Sequence, residues 1–497
     1  MGRTSRSGGS AGWALEYAGG GERWRGDRRA FLERLGGGLG GMALAGMVFR
    51  ERAMADAAVG AVGAVAPHFP PKVKRVIQLF MNGGVSQMDT FDYKPALERL
   101  HGEVFDPGDG SRVEAATSEP GRVMKSPFAF RQHGESGRWV SDVFPNLAGC
   151  VDDIAFLMAV ESRTNVHGPA SYLMNTGFLI PGFPSMGAWV SYALGNLSDN
   201  LPTFVVLPDP RGLPYNQRGN FSAGFLPVTH AGTVIQAGAA EPIPYLRPPA
   251  GGMSVSGDGE EPGRALLRRM NERHLAATPE DTRLEARIRS YELAARMQLA
   301  APEAFDVGSE SEATRALYGM GEAATEDFGR RCLLARRLVE RGVRFVQVWS
   351  GAGGPTNNWD NHADIITELP KMAVATDRPI AGLLRDLKAR GLWEDTLVVW
   401  STEFGRMPFT QGATGRDHNG GTSVGWLAGA GVRAGVSCGE SDAWSWKAVG
   451  EKVTTYDVHA TLLHLLGLDH ERLTFRHNGA DRRLTDVHGH VLRAVLA

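Results

Sequence analysis

Five side chains capable of chemistry fall close together late in the chain. Glu403, Arg406, Arg416, Asp417 and His418 all lie within the stretch 396–419, TLVVWSTEFGRMPFTQGATGRDHN. Carboxylates and an imidazole can hold a metal or carry a proton, and arginines grip anions through forked hydrogen bonds. Three other stretches offer similar residues: Asn82, Ser86 and Asp89 in NGGVSQMD, His167 in NVHGPAS, and Asp360 with His362 in NNWDNHAD. Mixed oxygen and imidazole ligands suit zinc, manganese or iron better than calcium, which prefers oxygen alone. A divalent ion, zinc or manganese, is therefore expected, with Asp89, Asp360, His362, Glu403, Asp417 and His418 as candidate ligands. Such an ion supplies hydroxide at neutral pH and offsets charge on a phosphoryl or sulfuryl oxygen. Any one of these motifs alone more often makes a loop hydrogen bond or a helix cap. The case for a site rests on the position they share.

That position is the end of a strand. Apolar, β-branched-rich runs at 73–81 (VKRVIQLFM), 154–160 (IAFLMAV), 343–349 (VRFVQVW) and 396–400 (TLVVW) each stop where the polar residues begin. Further strands are expected at 203–207 and 424–428. Helical patterns intervene around 170–195 and at 325–341 and 365–390. This alternation predicts an α/β domain with a mostly parallel central sheet flanked by helices, whose chemistry gathers at the carboxyl ends of the strands. Helices are also expected at 262–274, 279–299, 456–466 and 484–496. The stretch 208–259 is rich in Pro and Gly without a sustained period, and is expected to be an elaborated insertion that covers the site. The segment after strand 396–400 is expected to be a Gly-rich loop.

Composition narrows the class of ligand. The 497 residues carry a formal charge of −2 from 53 basic and 55 acidic side chains, which gives no electrostatic case for nucleic acid or an anionic membrane. Cys150, Cys332 and Cys438 are far apart with no CxxC pair, so neither a zinc knuckle nor a disulfide framework is indicated; one bridge stays open for an exported protein. Near the start, Arg28-Arg29-Ala30-Phe31-Leu32 precedes a Gly/Ala-rich run at 35–49 and resembles a twin-arginine export signal. The run is too short and glycine-rich to span a membrane, and small-x-small cleavage sites end at Ala55 and Ala66. The expectation is a leader over 1–66 and a protein in the periplasm or at the cell surface.

The motifs FMNGGVSQMDTFD, NVHGPASYLMNTG, NNWDNHAD, DTLVVWSTEFGRMP, GRDHNGG with LAGAGVRAG, and YDVHATLLHLLGLD occur in this order. Together they resemble the bacterial family called domain of unknown function 1501, a sulfatase-like branch of the alkaline phosphatase superfamily, over 72–497. The resemblance implies an alkaline phosphatase-like α/β fold and a metal-dependent hydrolase of a phosphate or sulfate ester. His167 would be a further ligand or, with Glu403, would move protons, and Arg406 or Arg416 would hold the anion. The implied substrate is a small anionic ester or a sulfated or phosphorylated glycan. The departures are specific. Glu403-Phe404 stands where sulfatases have an Asp-His pair, and His167 falls in the slot of the Ser, Thr or Cys nucleophile. Metal-bound water would then attack directly. The alternative is an inactive relative that uses the same cleft to bind a cell-surface glycan or a partner protein.

Overall fold

The computed structural model describes residues 66–110, 113, 115–239, 242–243, 257–277, 288, 292 and 303–497. The leader expected over 1–66 lies outside them except for its last residue, and so does nearly all of the helix expected over 279–299. The chain divides into two units: Met1–Glu51 with Pro244–Thr278, and Arg52–Ile243 with Pro279–Ala497. Of the first, the described element is one helix, Gly257–Ala277. Everything that follows concerns the second.

Eight strands make its sheet: β1 Arg75–Met81, β2 Ile154–Leu157, β3 Phe204–Leu207, β4 Thr233–Val234, β5 Phe345–Ser350, β6 Thr396–Ser401, then β7 Gly425–Gly429 and β8 Ser437–Cys438, in the order β8-β2-β7-β6-β1-β5-β3-β4. All neighbours run parallel except β7, which lies antiparallel between β2 and β6. The sheet is thus mixed and mostly parallel, as the helix–strand alternation implies. Because both faces are covered, the central strands are continuous apolar runs: every residue of β5 and β6, and all but the first of β1, is buried. Two of the polar exceptions, Gln78 and Gln347, pair in register. Gln347 Nε2 donates to Gln78 Oε1 at 3.0 Å and to Asn175 Oδ1 at 2.7 Å, while the Gln347 Oε1 is buried without a partner.

The helices that matter here are α1 His167–Thr176, α2 Met186–Leu194, α3 Glu326–Glu340, α4 Ile365–Ala389 and α5 Thr455–Leu465. α1 tolerates Pro169 because first-turn N–H groups have no intrahelical acceptor, and it ends at Gly177, whose φ of 78° suits glycine. α4 starts at Asp364, whose carboxylate accepts from the Ile366 and Thr367 N–H groups. α5 opens with a reciprocal capping box between Thr454 and Asp457.

Three expectations are corrected. The Gly-rich loop after β6 is an antiparallel hairpin, Gly405–Gln411 paired with Gly415–Asn419, with an irregularity between Arg406 and Thr410 where Pro408 has no N–H to pair. The run 154–160 is two strands, since Val160–Glu161 leaves the sheet to pair with Val453–Thr454. The helix expected over 484–496 is a loop ending in one 3-10 turn, Arg493–Val495. Positive φ at Asp486 (49°) and Gly489 (98°) breaks the helical path, although Leu492 and Val495 still bury. Cys150, Cys332 and Cys438 are buried and free. Among the described residues, no helix is long and apolar enough to cross a membrane.

Candidate metal centre

Three segments bring the site together. β5 ends at Ser350, and the loop beyond it carries Asp360 and His362 up to the Asp364 cap of α4. β2 leads through Val160–Glu161 to His167, the first residue of α1. The hairpin after β6 carries His418 opposite Arg406 in its register. The loop after β1 closes the floor at Gly83, whose φ is 126°; a Cβ there would come within 2.6 Å of the Asp360 and Trp359 amide nitrogens, so only glycine fits. At Gly415 a Cβ would strike the His362 carbonyl oxygen, so the hairpin also lies against the ligand loop.

His167, Asp360, His362 and His418 each place one ligand atom within 4.8 Å of all the others. His362 Nε2 is 2.7 Å from His418 Nε2 and 2.8 Å from Asp360 Oδ1; His418 Nε2 is 3.2 Å from the same oxygen. His167 Nε2 lies 3.2 Å from Asp360 Oδ2 yet, out of line, makes no hydrogen bond. Donor atoms that share one zinc ion at about 2.0–2.1 Å stand roughly 3–4 Å apart, and these four spacings lie near that range. Each imidazole is also pinned from behind. His167 Nδ1 faces Glu403 Oε1 at 2.7 Å, His418 Nδ1 faces the Asn165 carbonyl oxygen at 2.8 Å, and His362 Nδ1 faces Gln411 Oε1. With the Nδ1 proton given to an outer acceptor, all three Nε2 lone pairs turn inward, which is how metal-binding histidines are held.

Electrostatics agree with this arrangement. Burial acts against ionisation of Asp360, but the Arg406 guanidinium and the three imidazoles hold its carboxyl far below the usual range. Burial pushes His418 down to about 4, with Arg406 helping and Asp360 opposing. Burial also works against charge on His167, but Asp360 and Glu403 outweigh it and lift that group above its ordinary value. Because the His167–Asp360 pair is out of line, we ascribe that pull to charge rather than to an aligned hydrogen bond. Burial, followed by Asp360 and Glu403, pushes the Tyr215 phenol up to about 12.

The other expected site residues lie outside this ring. Glu403 is 1% exposed and stands one layer behind, its Oε1 also accepting the Gly83 N–H at 2.8 Å. Asp417, expected as a ligand, is turned away: its carboxylate accepts from the backbone and hydroxyls of Thr117 and Ser118 and from the His418 N–H. Asp89, also expected as a ligand, pairs with Arg416 at 2.6 Å and with the Ser86 hydroxyl at 2.5 Å. Both arginines spend their donors within the protein. Arg406 is fully buried and binds the carbonyls of Gly83, Gly84 and Arg416 as well as Asp360, while Arg416 spends its donors on Asp89, Met407 and Met124. Tyr215 was not anticipated. Its ring stacks on His167 (centroids 4.3 Å apart, planes 10° apart) from within the Pro/Gly-rich insertion.

A family match covers residues 73–496, to the family described as "Protein of unknown function (DUF1501)". The chain belongs to this family. No curated protein matches. Among solved structures, the chain is similar to the lipoteichoic acid synthase LtaP from Listeria monocytogenes (10% identity, TM-score 0.35, 82% of this chain and 76% of that one). It is also similar to the PsFucS1 sulfatase from Pseudoalteromonas sp. (12% identity, TM-score 0.35, 80% and 68%). A third is the alkaline phosphatase from the Antarctic bacterium TAB5 (10% identity, TM-score 0.32, 80% and 99%).

Proposed function

We propose that this DUF1501 protein is a metal-dependent hydrolase of phosphate or sulfate esters, exported by the twin-arginine route, with His167, Asp360, His362 and His418 holding the metal. One observation carries the reading: three histidines, each tied back through Nδ1, turn their Nε2 atoms toward one another around a single carboxylate. Three imidazoles and one carboxylate favour zinc over manganese. When bound, the ion would lower the pKa of water and offset charge on the ester oxygens. The protein's own part is orientation. Glu403 holds the Nδ1 proton of His167, Arg406 fixes Asp360, and Tyr215 and Phe404 wall the His167 ring. His167 opens α1, so the positive end of that helix dipole adjoins the cluster and favours an anionic group there. Export is supported by the RRxFL motif before its uncharged run.

A second reading, a binding protein without turnover, is favoured by the imidazole of His167 in the nucleophile slot. Elemental analysis of the purified protein, followed by a screen of 4-nitrophenyl phosphate, 4-nitrophenyl sulfate and sulfated or phosphorylated sugars, separates the two. Metal with turnover supports the hydrolase. Metal without turnover on any ester favours the binding protein. No metal after incubation with zinc or manganese removes the metal-dependent hydrolase and leaves the binding protein.

A further inference from the structure

A cleft of about 330 Å³ lies beside the β2–β8 edge of the sheet, and none of the residues lining it belongs to the metal cluster. Its volume is at the low end of the roughly 300–1,000 Å³ typical of small-ligand sites. Arg138 and Trp139 enter it from the short strand Arg138–Ser141, which pairs with Phe130–His133. Arg138 lies over the Phe156 ring at 4.8 Å, with Nη1 donating to Ser437 Oγ at 2.9 Å and Nη2 to the Phe91 carbonyl at 2.8 Å. Its Nε is buried and has no partner.

Among the described residues no carboxylate stands within ion-pair distance of Arg138, although Asp92 and Glu440 also line the cleft. Burial lowers the Arg138 pKa, and the one carboxylate acting on it is Asp92. Asp92 is already engaged by Lys94 at 3.2 Å and by the hydroxyls of Ser441 and Ser445. A sunken guanidinium with a free N–H and no ion-pair carboxylate costs stability unless an anion meets it. Beside it, Trp139 keeps 37% of its surface exposed and packs on Tyr93 with ring centroids 4.6 Å apart. Together the rings form an aromatic shelf at the mouth of the cleft. Such a shelf suits the C–H face of a pyranose, and Ser136 and Glu440 on the lining can meet its hydroxyls.

We infer that this cleft binds an acidic saccharide, its sulfate or carboxylate on Arg138 and its ring against Trp139. The site is independent of the metal cluster and does not require that cluster to be catalytic. The test is calorimetric titration of the full chain, treated with chelator, with a sulfated tetrasaccharide from chondroitin sulfate; the desulfated tetrasaccharide and inorganic sulfate serve as controls. Arg138→Gln and Trp139→Ala should each weaken binding of the sulfated ligand at least tenfold without altering the melting temperature by more than a few degrees. His418→Ala should bind within twofold of wild type. Because Trp139 is exposed, its variant folds whatever Arg138→Gln does. Wild-type affinity in both cleft variants would overturn the inference. So would loss of binding in His418→Ala, which places the ligand at the cluster, or equal affinity for inorganic sulfate, which removes the role of the shelf.

Discussion

Glu403→Gln isolates what the layer behind the ligands contributes. The substitution keeps size and shape, so the amide oxygen can still accept from His167 Nδ1 and the Gly83 N–H, now 2.7 and 2.8 Å from the carboxylate oxygen. Only the charge goes. A hydrogen bond to an ionised partner contributes about 1.5–3 kcal/mol, against about 0.5–1.5 for a neutral one. The imidazole therefore loses about 1–1.5 kcal/mol of orientation and basicity, or roughly five- to twelvefold in metal affinity at about 1.4 kcal/mol per decade. Competition between apo-protein and a chelating dye for zinc measures this directly, with wild type and His418→Ala as brackets. Zinc affinity in Glu403→Gln within twofold of wild type, while His418→Ala has lost the metal, would refute the orienting role of Glu403. Full zinc binding by His418→Ala would refute the cluster itself.

Other outcomes follow from the same geometry. Arg416→Met strands the buried Asp89 carboxylate and should cost about 3–5 kcal/mol in chemical denaturation while leaving zinc stoichiometry intact. Gly83→Ala forces an unfavourable φ and a backbone clash with Asp360, so it should lower the melting temperature and the zinc content together. Zinc affinity should fall as pH drops from 8 to 5. His167, raised above its usual 6.5, holds a proton that the metal must displace, at up to about tenfold per pH unit; His418, at about 4, competes only near the acid end. A zinc titration series across that range checks the sign: affinity that rises toward acid would show that His167 is not a ligand.

The sheet was legible because parallel strands buried on both faces leave unbroken apolar runs, as in VIQLFM and TLVVW. The ligand-bearing loops were legible because reactive residues recur where those runs stop. What escaped had physical causes. The hairpin at Gly405–Asn419 lacks alternation and contains Pro408, so it read as loop. Asp417 and His418 are neighbours on a strand, where successive side chains point to opposite faces; only one of them could face the cluster. Arg406 and Arg416 looked like anion grips because sequence shows their charge and not the carbonyls that occupy it. Asn165 contributes its backbone oxygen, for which a sequence carries no signal. Tyr215 sits in an insertion without periodicity, and only the fold brings it back over His167.

Arg406 joins the Gly83 and Gly84 carbonyls of one segment and the Arg416 carbonyl of another to the Asp360 carboxylate without exposing any of its own surface. Its charge sits inside the scaffold, so the loops bearing Asp360, the first glycines and His418 are clasped by the protein alone. On the metal-centred reading proposed above, folding and loading would be separate events, because the candidate ligand loops are held by the protein before any ion arrives.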